Sequence, residues 1–364
     1  MAELIIHSEK IKENIKFLSH YFEAHNIEWS LVTKVFSGDN TFIKKILTKD
    51  VIEKIKSVSD SKLSSLKTLK AVYPNLETIY INPPALAHVD NVIDYADISL
   101  NTSISTIEAL NASAKQKNRI HKIIIMIELG ELREGINNED VVAFYQSVFN
   151  LSHIEVVGIG SNLGCMFGIE PSYNKLEQLS YSKALIASKF NKNLKLISGG
   201  TSITLPLIED NLVPKDINHF RIGEAAFLGV CPLEGQQFKG LHKDTFEFYA
   251  NIIELIEKNV VPGDVITDSN NGQAIHNDSN RSTLKSYKAI LDFGLLDVDK
   301  NDLEAEDNFL FVGATSDMVV IDVGDNKTEA NTIKYKVGDK IKFRLNYMAV
   351  ARLLSSKFIH KVYV

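Results

Sequence analysis

Cysteine is nearly absent. Cys165 and Cys231 are the only two in 364 residues, and no CxxC pair occurs. That excludes a disulfide framework and a zinc ribbon. No run of about 18 apolar residues occurs, and no apolar stretch follows a basic start, so there is neither a membrane span nor a secretory signal to read. Positive charge is not in excess either: Lys+Arg 40 against Asp+Glu 46 gives −6. A mildly acidic chain excludes general binding to nucleic acid or anionic membrane. Internal repeats and low-complexity tracts are missing, and no GxGxxG follows the first strand, which counts against a dinucleotide site. The expectation is a cytoplasmic globular protein, long enough for two domains.

What the chain does have is alternation. After a short strand over residues 3–7, Ser8 reads as the cap of a helix carrying Ile11, Ile15, Leu18 and Phe22. An apolar run then ends at Val32-Thr33-Lys34. Strands follow at 55–58, 78–81, 97–100, 122–128, 154–159, 194–198 and 218–222, each trailed by helical periodicity. Strict strand–helix alternation predicts parallel βαβ units, and roughly eight of them predict a closed (β/α)8 TIM barrel over 8–232. An open doubly wound sheet is the alternative. Beyond Pro232 the texture changes to short strand-like runs at 245–257, 288–291, 309–312, 319–323 and 340–345, with turn clusters at 261–264 and 268–272 and a helix only at Tyr347–Leu354. This predicts a C-terminal all-β domain over 233–364, joined by the N-terminal strand 1–7.

The unusual residues fall at the C-terminal ends of the barrel strands, where such barrels keep their chemistry. Lys34 ends the first. A lysine there is either a solvated surface residue or a nucleophile toward a carbonyl, pyridoxal phosphate being the common partner. Ser198-Gly199-Gly200-Thr201-Ser202 follows the seventh and opens a helix. Its glycines, hydroxyls and free amides suit a phosphate, or make an ordinary glycine-rich turn. Arg221 sits inside the eighth, an apolar strand, and burial obliges it to pair, with Glu128 or Glu224 as partners at hand. Arg133, in a loop flanked by Gly130 and Gly135, suits a carboxylate or is a solvated loop residue. Cys165 follows Gly160-Ser161-Asn162-Leu163-Gly164.

These motifs carry a resemblance. Val32-Thr33-Lys34 with Gly38-Asp39, Asn82-Pro83-Pro84-Ala85-Leu86, the Gly130 to Gly135 loop, Asn162 to Cys165, Ser198 to Ser202, Phe220 to Glu224, and Gly313 to Asp317 and Val337 to Tyr347 further on resemble the alanine-racemase-like, fold-type III enzymes that use pyridoxal phosphate. More narrowly the chain is similar to the ornithine racemase branch, over almost its whole length. The resemblance implies that Lys34 bonds the cofactor and then serves as one of two bases. It implies that Arg221 faces the pyridine nitrogen, that Thr201, Ser202, Gly223, Glu224 and Tyr347 hold the phosphate, that Asn162 contacts the ring and that Arg133 lies near the substrate carboxylate. It also implies a homodimer with shared active sites.

There are departures. Gly38 stands where alanine racemases carry a tyrosine, Met126 where they carry a modified lysine, and no tyrosine near Ala289–Gly294 matches their second base. Those differences argue against alanine as substrate. They leave Cys165, Asp317 and His276 as candidates for the second base, with a plain buried cysteine as the other reading of Cys165. The reaction expected is racemisation of ornithine or another basic amino acid, with Glu128 or Asp317 available to its distal ammonium. The alternatives are a decarboxylase on the same fold and a cofactor-binding protein without turnover.

Overall fold

The computed structural model describes residues 1–233, 236–260, 272–274 and 285–364. The turn clusters expected at 261–264 and 268–272, except for Gly272, and His276, lie outside them. The chain divides into two compact units, one of Glu9–Lys243 and one of Met1–Ser8 with Asp244–Val364.

In the first unit, β2 (Glu28–Val32), β3 (Ser57–Asp60), β4 (Glu77–Tyr80), β5 (Ile98–Asn101), β6 (His121–Met126), β7 (Ile154–Gly160), β8 (Leu196–Ser198) and β9 (His219–Ile222) form a closed barrel. All pairs are parallel, and β9 closes on β2 with Ser30 opposite Arg221. The helices between them are α1 (Ser8–Ala24), α2 (Asn40–Ile46), α3 (Lys49–Ile52), α4 (Leu63–Val72), α5 (Val89–Tyr95), α6 (Ile104–Gln116), α7 (Val141–Phe149), α8 (Tyr173–Phe190), α9 (Leu205–Glu209) and α10 (Glu224–Leu228). Their starts are chemically marked. Asp39 accepts the Phe42 amide at 2.7 Å to open α2, and Ser172 accepts that of Lys175 to open α8; such a cap stabilises a helix by about 1 kcal/mol.

Alternation along the strands decides what faces the barrel axis. Phe22 of α1 stacks on Trp29 and Phe220, with centroids 5.7 and 6.1 Å away. Those two therefore point outward, and their neighbours Ser30 and Arg221 point inward. Carried round the register, the axis side holds Ile79, Ile98, Leu100, Ile124 and Met126, one contiguous apolar cluster. It also holds Ser30, Ser59, Ser198, His219 and Arg221. The interior is thus apolar on the β4–β6 side and polar on the β8–β9–β2–β3 side. Glycines keep the two apart without collision: a Cβ on Gly160 would come within 3.0 Å of the Ser198 Cβ and 3.2 Å of the Met126 sulfur.

Two elements at the C-terminal ends of the barrel strands differ from the sequence expectation. β2 stops at Val32, and Lys34 opens a 3-10 turn, Lys34–Phe36. Thr33 is drawn off the strand by its hydroxyl, which donates to Asp60 Oδ2 at 2.9 Å, and Ser37 ends the turn in the left-handed region. The helix expected after Thr201 is only a turn, Ser202–Thr204, followed by the five residues of α9. Pro206 stands in the first turn of α9, and Asn211, at φ +57°, lies just beyond its end.

The second unit is antiparallel apart from one pair. Its strands are β1 (Glu3–Ile6), then, past the two-residue pair β10 (Val230–Cys231) and β11 (Gln236–Gln237) of the first unit, β12 (Phe246–Asn259), β13 (Gln273–Ala274), β14 (Lys285–Leu291), β15 (Leu303–Ala305), β16 (Leu310–Ala314), β17 (Val319–Asp322), β18 (Lys340–Leu345) and β19 (His360–Tyr363). The sheet runs β13-β16-β17-β14-β12-β1-β19, with β18 joining β12 to β15. β1 pairs antiparallel with β12 and parallel with β19. Buried and part-exposed residues alternate along the first half of β12, as a sheet with one buried face requires. Phe248, Phe293 and Phe343 meet at 5.1–5.9 Å in its core. Lys288 pairs with Asp322 at 2.5 Å, both buried, and Ser286 completes that carboxylate. The helix α11 (Tyr347–Ser355) is capped by Asn346.

Candidate active site

Within the barrel unit, the sequence-selected residues come together at the C-terminal strand ends. Lys34 follows β2. Its charge lowers the carboxyls of both Asp60, at the end of β3, and Glu224, just past β9, against the burial that raises them. Burial wins in each case, and Asp60 is pushed up to about 6. Lys34 is therefore within electrostatic reach of two acids from the neighbouring strands.

Arg221 is 3% exposed. The expected ion pair with Glu128 or Glu224 is not what holds it. Its Nη1 donates to Ser198 Oγ and its Nη2 to the Ser161 carbonyl at 2.7 Å. Ser198 Oγ also meets His219 Nδ1 at 2.8 Å. No carboxylate lies in ion-pair contact with Arg221 among the described residues. Burial without a counterion brings Arg221 down to about 10, and burial together with the adjoining guanidinium brings His219 down to about 3. At neutral pH the arginine is charged and the histidine neutral. His219 was missed by sequence reading, since one histidine in an apolar strand carries no pattern.

The loop after β6 is closed by Gly135. At φ +151° its Cβ would lie 2.4 Å from the Glu128 amide, so only glycine fits. Glu128 accepts the amides of Gly130 and Arg133, at 2.5 and 3.2 Å, and so braces the loop instead of receiving a side-chain cation. The guanidinium of Arg133 pairs with Glu134 through two bonds, one of 2.6 Å, and that partner, not Glu128, holds its proton most firmly. Arg133 also reaches the thiol of Cys165, and Arg221 feels the same thiol. Asn162, buried at the end of β7, donates to Cys165 Sγ at 3.2 Å. Cys165 itself is exposed, not a buried core cysteine. Cys231 is buried, its sulfur 3.7 Å from the Ser202 carbonyl.

The segment Ser198–Ser202 forms the remaining wall. Gly200 has φ +149°, and a Cβ there would sit 2.3 Å from Thr204 Oγ1. Ser202 Oγ accepts the Ala225 amide at 3.2 Å, tying this loop to the start of α10 beside Gly223 and Glu224. The Ser202 hydroxyl proton is left to donate elsewhere. Two hydroxyls near this rim, Ser161 Oγ and Thr204 Oγ1, are buried with no hydrogen-bond partner among the described residues. A buried polar atom left so costs about 1–3 kcal/mol, and a hydrogen-bonding ligand relieves that cost. Glycines that admit a close approach, hydroxyls with protons to give, and a lysine and an arginine at adjoining strand ends form a donor set that fits a phosphorylated aldehyde. Thr201 is half-buried on the same loop.

Tyr347 and Asp317 belong to the β unit. Tyr347 opens α11, and the Asp317 carboxylate is taken up by the hydroxyls of Thr315 and Ser316. Among the described residues no group of acids, histidines and cysteines could hold a metal ion, and no helix is long and apolar enough to cross a membrane.

Residues 6–230 match the family model described as alanine racemase, N-terminal domain. The chain is 32% identical to an ornithine racemase of Acetoanaerobium sticklandii over 362 residues, 99% of this chain and 98% of that one. It is 29% identical to a lysine racemase of Thermotoga maritima over the same shares. Among solved structures, the alanine racemase of Bartonella henselae with covalently bound pyridoxal phosphate superposes with a TM-score of 0.70, 17% identity, and coverage of 100% of this chain and 99% of that one. The closed barrel, the β unit and these matches agree: the chain is an enzyme of the alanine racemase family.

Proposed function

We propose that this enzyme is a pyridoxal-phosphate-dependent racemase of a basic amino acid, with ornithine as the first choice of substrate. The observation that carries the reaction type is Arg221, buried and charged beside the Lys34 strand with no carboxylate against it among the described residues. The two racemase relatives, one of ornithine and one of lysine, support the substrate class. The bound cofactor of the Bartonella structure supports the cofactor.

Pyridoxal phosphate, when bound, draws electrons from the substrate and makes its Cα proton removable. The chain supplies the rest. Lys34 holds the cofactor through its amine and carries a proton at one face of the Cα. A second group must serve the opposite face, because one side chain cannot reach both, and Cys165 is assigned that place. Arg133 offers the substrate carboxylate the guanidinium edge that Glu134 does not take. The hydroxyls of Thr201 and Ser202 and the backbone amides of Gly223 and Glu224 would receive the phosphate, and Asn162 would meet the ring. Arg221 stays charged, so a pyridine nitrogen held against it would stay unprotonated. That limits delocalisation and disfavours transamination and decarboxylation. A homodimer with shared sites and a cytoplasmic location complete the proposal.

The test is a panel of L-ornithine, L-lysine, L-alanine and L-serine, followed by loss of optical rotation and by carbon dioxide release, with Lys34→Ala alongside. Racemisation fastest on ornithine or lysine, none with the variant and no gas is expected. A preference for alanine, or release of carbon dioxide, would overturn the proposal.

A further inference from the structure

Glu131 is held at the barrel mouth by backbone amides alone. It is 2% exposed, and among the described residues no cation pairs with it. Four backbone amides converge on it instead: Cys165 at 3.0 Å and Ile169 at 3.0 Å on Oε1, Met166 at 2.9 Å and Phe167 at 3.2 Å on Oε2. An ionised carboxylate has about four acceptor sites, and one short stretch of chain fills them. Gly164 and Gly168, both at φ +66°, let the backbone turn around the carboxylate. Burial pushes this carboxyl up, but the four amides outweigh it and leave it below the ordinary range.

Apart from these four bonds and the contacts of Asn162 and Arg133 with the Cys165 thiol, no other hydrogen bond holds the loop tip, residues 165–169, among the described residues. Met166 is 57% and Phe167 60% exposed, so apolar burial does not set its shape. The tip carries Cys165, whose thiol meets Asn162 and Arg133. We propose that Glu131 is a positioning residue that fixes Cys165 against Asn162 and Arg133 by closing the backbone of 164–169 around its carboxylate. Its value to catalysis rests on the proton-carrying place given to Cys165 above; its hold on the loop does not.

The direct readout is amide hydrogen exchange in the holoenzyme. In the wild type the amides of Cys165, Met166, Phe167 and Ile169 should exchange slowly although their side chains are largely in solvent. In Glu131→Gln the introduced NH2 would confront amides that can only donate, and at least two of the four bonds are lost. At about 1 kcal/mol per bond, exchange in the peptide over 163–170 should quicken by about tenfold or more. Peptides over β8 and β9 should keep their wild-type rates. Alkylation of Cys165 by iodoacetamide, followed by mass, should change in rate, kcat for racemisation should fall, and Glu131→Asp should restore part of each.

Unchanged exchange in Glu131→Gln overturns the proposal. So does quickening that spreads evenly over the barrel, which would mark a general loss of stability. Rapid exchange of these amides in the wild type overturns it without any variant, should Glu131→Gln not fold. Cys165→Ala separates the two readings. If that variant racemises at the wild-type rate, the role of the thiol in the reaction falls, while the exchange result still decides whether Glu131 holds the loop.

Discussion

Replacing Arg221 should separate what the residue does for folding from what it does for the reaction. Burial brings it down to about 10, below the ordinary guanidinium range, and at 1.36 kcal/mol per unit the fold bears about 3 kcal/mol to keep it charged. Against this stand two hydrogen bonds from a charged donor, to Ser198 and Ser161, each contributing about 1.5–3 kcal/mol. Arg221→Gln relieves the first and loses the second, so the apoprotein should be destabilised by only about 0–3 kcal/mol. Urea denaturation of wild type and variant checks that figure. The reaction should respond differently. If Arg221 faces the cofactor nitrogen as proposed, Arg221→Glu would put a protonatable group there, let the ring accept more electron density, and open transamination. Chiral chromatography of ornithine, together with assay of the aminated cofactor, reads both outcomes. Clean racemisation with no aminated cofactor would refute the account of Arg221. A loss well above 5 kcal/mol in Arg221→Gln would refute the account of its energetics.

Gly200→Ala should weaken the cofactor site: the φ of +149° and the 2.3 Å approach to Thr204 Oγ1 cost about 1–3 kcal/mol, roughly five- to hundredfold in pyridoxal phosphate affinity by titration of the apoprotein, and unchanged affinity would remove this loop from the phosphate cradle. His219 should make the barrel acid-sensitive. It is neutral in the fold down to about pH 3, whereas the unfolded chain takes up its proton near 6.5, so stability is full above pH 6.5 and falls by about 1.4 kcal/mol per unit as pH drops through that window. Asp60, raised to about 6, acts in the opposite sense below pH 6, and is offset by His121, which burial lowers to about 4 and which acts in the same sense as His219. His219→Gln should flatten the urea midpoint between pH 6 and 4.5, and an unaltered slope would count against the assignment.

Some of this protein was settled by its sequence alone. Strand–helix alternation marked the barrel because parallel strands buried on both faces need apolar runs such as Lys122–Glu128. Lys34, Ser198–Ser202 and Arg221 stood out because polar residues at the ends of such runs have to be accounted for. Other points needed the fold. Which partner holds a buried arginine depends on register, and Ser30 opposite Arg221, with Ser198 opposite His219, put hydroxyls and an imidazole where an acid had been expected. Glu128 became a brace for the amides of its own loop, and Glu134 the partner of Arg133, because Gly135 folds the loop back on the Glu128 amide. Glu131 shows the difference most clearly. In the sequence it is one acid among several in a glycine-flanked loop. Only the packing of that loop against the one after β7, 34 to 38 residues further on, turns it into the acceptor of four amides. Short-range pattern records what each segment prefers; contacts between distant loops are decided by the closed barrel that brings their ends together.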